Sequence, residues 1–166
     1  MNSLALNEID TDNQEVEEEI LTEETQQFLS FIIEGEFFGL ELLSVHEILK
    51  PVPITRIPNV EDYIMGVINL RGEIIPIIDL KKRFDISFTE LQPSSRFVVV
   101  MKDDKRFGLL VDEVRQVVKI TESNINYTTD DLALSYGKLI ESVSRINDHL
   151  ILNLGINQLV EFVQDN

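Results

Sequence analysis

After residue 27 the chain is a succession of short apolar runs closed by turn-forming residues, with valine and isoleucine prominent in most of them. Runs that are brief, β-branched and turn-bounded predict strands rather than helices. Strands are expected at 28–33, 66–70, 73–79, 97–102, 107–111 and 114–119. Helices are fewer. Asn59 to Met65 follows Pro58 with a cap-type residue and acids in its first turn, which predicts a short helix ended by Gly66. A second is expected near Leu80. A third, at 156–164, has Asn157 as its N-cap candidate and sets Ile156, Leu159, Val160 and Val163 on one side.

The pattern repeats. Residues 28–49, "FLSFIIEGEFFGLELLSVHEIL", lie over 97–118, "FVVVMKDDKRFGLLVDEVRQVV", at a constant offset of 69, with Phe-Gly-Leu at 38–40 matching Phe-Gly-Leu at 107–109. Each copy reads as a β-hairpin with a polar turn, Glu34-Gly35-Glu36 or Asp103-Asp104-Lys105, running on into further strand or a helical turn. A looser match sets "IIDL", 77–80, over "ILNL", 151–154, at an offset of 74. That requires a five-residue insertion, which the polar stretch 128–138 would hold. Two similar β-units point to an all-β fold, mainly β with a few short helices, in which two small barrels pack side by side. The first would span about 28–90 and the second about 97–155, with the helix at 156–164 closing the chain.

Composition separates one segment from this plan. Residues 1–27 hold nine acidic side chains and no basic one, so they read as an acidic, flexible tail. The whole chain of 166 residues carries a net charge of −16, which repels phosphate backbones and anionic lipid and makes nucleic acid an unsuitable partner. No apolar run reaches the roughly 18 residues needed to cross a bilayer, and cysteine is absent. A soluble cytoplasmic protein that folds without cofactor or metal is expected.

Reactive chemistry finds few parts. His46 and His149 are far apart, and "HEILK", 46–50, sets Lys50 where a zinc-protease motif needs its second histidine. Phosphate-binding loops and nucleophile elbows are missing from the sequence. Glu47, Asp79, Asp112 and Glu113 lie in apolar surroundings, yet a hydrolase would need two of them in one cleft. Asp79 and Asn153 fall at matching strand ends, as residues that bind a turn backbone do. A small-molecule site in the seam between barrels is a further alternative. Surface recognition fits better. Glu47, with Gln116 as its repeat mate, alternates with apolar neighbours and is expected to face outward. Arg71 lies in "NLRG", where Asn69 and Gly72 supply turn conformations, so its guanidinium is presented at a hairpin tip.

The stretch 28–84, and within it "GVINLRGEIIPIIDL" at 66–80 preceded by Val45-His46-Glu47-Ile48, resembles the first half of the CheW family of bacterial chemotaxis coupling proteins. The resemblance continues through "FGLLVDEVRQVVKIT" and "HLILNLGINQLV", covering nearly everything after the tail. It implies two five-stranded barrels around a shared hydrophobic seam. It also implies a non-enzymatic adaptor that joins the regulatory domain of the histidine kinase CheA to the cytoplasmic hairpin tips of chemoreceptors. The motif positions tied to those contacts fall on Val45, Glu47, Gly66 and Arg71. The kinase contact would use barrel ends, and the receptor contact an apolar groove between barrels. An equivalent role in a pilus-motility or other chemosensory array fits the same motif.

Overall fold

Four β-hairpins organise the chain, and all four turn through a two-residue loop. A computed structural model describes residues 23–127 and 136–164. The hairpins join β1 (Thr25–Ile33) to β2 (Glu36–Glu41), β4 (Ile64–Leu70) to β5 (Glu73–Asp79), β6 (Arg96–Lys102) to β7 (Lys105–Val111), and β10 (Ile140–Ile146) to β11 (His149–Leu154). Both loop residues have positive φ in each: Glu34-Gly35, Arg71-Gly72, Asp103-Asp104 and Asn147-Asp148. That twist matches the right-handed twist of the flanking strands, and it favours short polar residues or glycine at both positions. Glu34 and Arg71 are the two long side chains placed there.

The remaining elements are β3 (Val45–Leu49), β8 (Glu113–Thr121), β9 (Ile125–Tyr127), a single-turn helix α1 (Leu80–Arg83) and the C-terminal helix α2 (Ile156–Gln164). One sheet has six strands in the order β8-β1-β2-β11-β10-β9, and the other has five in the order β3-β6-β7-β5-β4. The expected all-β architecture with few helices is present, with two corrections. The sheets are open, so they are not closed barrels, and one of them has six strands rather than five. Nor does either sheet follow the contiguous spans 28–90 and 97–155. Hairpin β1–β2 sits among the strands of the second half, and hairpin β6–β7 among those of the first. The chain therefore passes between sheets at Leu42–Ser44 and returns at Asp112.

The repeat is real, but its second part is aligned differently from the sequence match. Gly66 pairs with Ile77 as Ser142 pairs with Asn153, and Ile77 lies beside Gly108 as Asn153 lies beside Gly39. The Asp79 amide donates to the Tyr63 carbonyl at 2.8 Å, and the Gly155 amide to the Leu139 carbonyl at 2.9 Å. Asn153 thus answers to Ile77 and Gly155 to Asp79, an offset of 76 in place of 74. The insertion is seven residues, the difference between 76 and 69. Most of the stretch expected to hold it, 128–135, lies outside the described residues, as does the tail up to residue 22. Residues 25–27, assigned to that tail, open β1.

Strand β6 shows why its apolar run is unbroken. Phe97 and Val99 point into a cluster with Ile68, Ile75, Ile77 and Leu110 inside the curl of the five-stranded sheet. Val98 and Val100 point the other way, into the seam, where they meet Leu29, Phe31, Phe38 and Leu40 of the opposite sheet. Successive residues face opposite sides, so a strand buried on both faces carries no polar alternation. Each such side chain contributes about 1.5–3 kcal/mol by leaving water. Helix α2 lays Leu159 and Val160 on the same seam. Its first turn starts one residue before Asn157, with the Gly155 carbonyl accepting from the Leu159 amide, so Asn157 is not the cap.

The helix expected at Asn59–Met65 is absent. Asn59 has a left-handed φ of 60°, and Ile64 already pairs with Ile78 in the β4–β5 ladder. Strand pairing has overridden the local capping signal.

Candidate partner-binding site

The end of the five-stranded sheet holds the residues the sequence singled out. Strands β3 and β4 are its opposite edges, yet the sheet curls enough for them to be linked. From β3 the chain runs to Thr55, which exchanges backbone hydrogen bonds with Val67 of β4 at 2.9 and 2.8 Å. Above that bridge the Arg71 guanidinium at the β4–β5 tip donates to the Glu47 carboxylate on β3, an ion pair between the two edges. The Asn69 carboxamide oxygen accepts from the Gly72 amide at 2.9 Å and fixes the tip. Glu73, next in the turn, is engaged by Arg106 at 2.6 Å, which leaves Glu47 as the carboxylate for Arg71.

Exposure differs sharply across the four candidates. The Arg71 side chain is 65% exposed and that of Glu47 only 24%. Glu47 is therefore half-buried and held within the protein, while Ile48 beside it is 41% exposed; its repeat mate Gln116 is exposed on β8, as expected, next to Val117 at 47%. This reverses the expected facing of β3. A register shift between Val45 and Glu47 opposite β6 breaks the simple alternation on which that expectation rested. Val45 is half-buried against the seam cluster. Gly66 is buried, with φ +145°, and a Cβ there would stand 2.2 Å from the Thr55 carbonyl oxygen. The structure thus brings Arg71 and Glu47 together, sets Val45 two residues away, and makes Gly66 a backbone requirement of the Thr55 bridge.

The counterpart end of the six-stranded sheet is built differently. Asn147 takes the place of Arg71 and Gln116 that of Glu47. Both line an open cleft of about 450 Å³ together with Phe37, Ile146 and His149. Buried beneath the ladder are Ser30, Ser144 and Asn153, where the five-stranded sheet has Val99, Ile68 and Ile77. Asn153 donates to Ser142 and Ser144 at 3.0 and 2.7 Å. One end is plugged and apolar inside; the other is open and polar.

The four carboxylates considered for acid–base work have separate partners. Asp79 is 1% exposed, N-caps α1 through the Lys81 and Lys82 amides, and accepts from the Thr89 amide and hydroxyl at 2.8 and 2.5 Å. Its expected role of tying down a turn is what the structure shows. Asp112 accepts from the Glu34 amide at 2.9 Å, and Glu113 accepts from Arg115 at 3.0 Å. No group of three or more metal-ligating side chains occurs among the described residues.

Sequence reasoning missed two exposed apolar areas. Leu43, on the first passage between sheets, is 93% exposed. A cleft of about 610 Å³ is lined by Val52, Ile57, Met65, Phe88 and Leu91. Its signal was the apolar residues set between Pro51, Pro53 and Pro58, just before the stretch 59–65 that was read as a helix. Within the strand expected at 73–79, Ile74 is 60% exposed beside the Arg71 tip, and Ile78 faces the seam.

Two open sheets paired around one seam make this a two-sheet β module. The family model for the CheW-like domain matches residues 27–164. The chain belongs to the CheW family of chemotaxis coupling proteins. It is 30% identical over 143 residues to the chemotaxis protein CheW of Helicobacter pylori, covering 84% of each chain. It is 32% identical over 135 residues to that of Thermotoga maritima, covering 81% of this chain and 87% of the other. Among solved structures, the scaffolding protein TtCheW from Thermoanaerobacter tengcongensis superposes with a TM-score of 0.75 at 35% identity, over 83% of this chain and 94% of that one.

Proposed function

We propose that this protein is an adaptor that couples the cytoplasmic hairpin tips of chemoreceptors to the regulatory domain of the histidine kinase CheA, making and breaking no covalent bond. The family match across residues 27–164 carries the reading. The plugged tip with Arg71, Glu47 and Val45 is the candidate kinase or receptor contact, supported by a planar cationic fork held 65% exposed in a fixed geometry. Apolar Leu43, at the passage between sheets, supports a receptor contact along the seam groove. Gly66 serves the contact indirectly, by allowing the backbone approach that sets the tip. Among the described residues no helix is long and apolar enough to cross a membrane. The adaptor would work in the cytoplasm and reach membrane arrays through its partners.

Arrays built from many copies need only modest single contacts, because avidity multiplies them. The test is co-precipitation with a CheA regulatory domain and a receptor hairpin fragment, each tagged separately. Retention of both on one adaptor supports the proposal; retention of neither overturns it.

A further inference from the structure

The two long charged residues at left-handed turn positions share one feature: each has its charge held by a neighbouring segment. Arg71 is held by Glu47. Glu34, at the β1–β2 tip, is held by Lys81 of α1, whose Nζ lies 2.9 Å from the Glu34 carboxylate and 3.5 Å from that of Asp112. Left-handed backbone is unfavourable for a residue with a Cβ, so such placements mark positions where another requirement prevails.

The requirement here is geometric. Glu34 belongs to the six-stranded sheet, and Lys81 follows β5 of the five-stranded one. Asp112 is the passage between them, tied to β1 by its own amide donating to the Ile32 carbonyl at 3.1 Å and by its carboxylate accepting from the Glu34 amide. The Lys81 side chain is only 13% exposed, against 48% for Glu34 and 28% for Asp112, so the lysine is the most enclosed member of the cluster. At the opposite passage the residue equivalent to Asp112 is the exposed Leu43, and Asn157 stands where the repeat would put Lys81. Both are uncharged, so the Glu34–Lys81–Asp112 arrangement is not repeated at that passage.

We propose that Lys81 is a positioning residue that fixes the angle between the two sheets, making the Asp112 end of the seam the anchored end and the Leu43 end the one that yields to a partner. The functional half of this inference rests on the adaptor reading; the geometric half does not. The test uses residual dipolar couplings of the full chain, comparing Lys81→Met with Lys81→Arg. In the parent and in Lys81→Arg the couplings of both sheets fit one alignment tensor. In Lys81→Met each sheet fits its own tensor, the two differ, and exchange broadening appears around Leu42–Ser44. A single shared tensor in Lys81→Met, with only a lower melting temperature, would reduce the residue to a stabilising contact and overturn the proposal. Should Lys81→Met fail to fold, Glu34→Gln combined with Asp112→Asn, which takes both carboxylates away from Lys81, is read in the same way. Titration of a receptor hairpin fragment then separates the halves. Weaker binding by Lys81→Met, recovered in Lys81→Arg, supports positioning of the groove. Parental binding despite diverging tensors overturns the functional half, whereas absence of binding by the parent itself counts against the adaptor reading alone.

Discussion

Arg71 and Glu47 join opposite edges of one sheet, so a surface hairpin tip is also the latch of a curled β-structure. The energetic consequence is small and the geometric one large. An ion pair with one exposed partner is worth about 0.2–1 kcal/mol, and relief of the left-handed strain at position 71 is of similar size. Arg71→Gly should therefore leave the urea midpoint nearly unchanged, while the complex with the relevant partner weakens by about 1–2 kcal/mol in titration calorimetry. Equal affinity of variant and parent would remove Arg71 from the contact.

The reversed pair, Arg71→Glu with Glu47→Arg, tests whether the latch or the exposed cation matters. Stability should return close to that of the parent in the double variant, because the edges are again linked. Binding should not return, because the outward group is now a carboxylate. Recovery of both would mean that the partner reads only the shape of the tip.

Gly66→Val strikes the backbone bridge beneath. A Cβ 2.2 Å from the Thr55 oxygen cannot be accommodated without parting β4 from residue 55, and the positive φ adds strain. A loss of about 2–4 kcal/mol is expected in denaturant unfolding, with binding lost as a consequence. Parental stability would contradict the assigned backbone role.

Asp79→Ala removes a buried acceptor of four hydrogen bonds that caps α1 and anchors Thr89. Leaving those donors unpaired should cost about 2–4 kcal/mol, with no partner-specific effect beyond it.

Alkaline pH provides a separate measurement. Burial depresses the Lys81 pKa, but hydrogen bonding and charge attraction from Glu34 and Asp112 outweigh it and hold the value above the ordinary ammonium range. Burial, with the bond to Glu36, pushes Tyr136 up to about 12. Both groups bind their proton more tightly when folded. Their contribution is full below the unfolded values of about 10 and is lost as pH rises through the folded ones. The urea midpoint should fall between about pH 10 and 12, and Lys81→Met should flatten part of that fall.

Much of this was legible in residue order, and the failures have identifiable causes. Strand β5 was expected at 73–79 and found there, and "NLRG" announced its turn. Hydrophobic periodicity assigns faces to strands, not neighbours, so the exchange of hairpins between sheets could not be read from it. The slip from 76 to 74 in the repeat has the same origin. A shift of two keeps every side chain on its face, and "IIDL" over "ILNL" looks sound while setting Asn153 against Asp79 instead of Ile77. Glu47 was expected outward because β3 was read as a regular strand; its register shift is set by pairing with Val99 and Val100, distant in sequence. Lys81 carried no signal at all, since Glu34 and Asp112 meet it only in the folded chain.

The central claim is that two partners are held at once on one body. Light scattering on a size-exclusion column, with the full chain mixed with a CheA regulatory domain and a receptor hairpin fragment, weighs the complex directly. A single peak with the summed mass of all three is the predicted result; two binary peaks that exclude each other, or an adaptor that elutes alone, would contradict it.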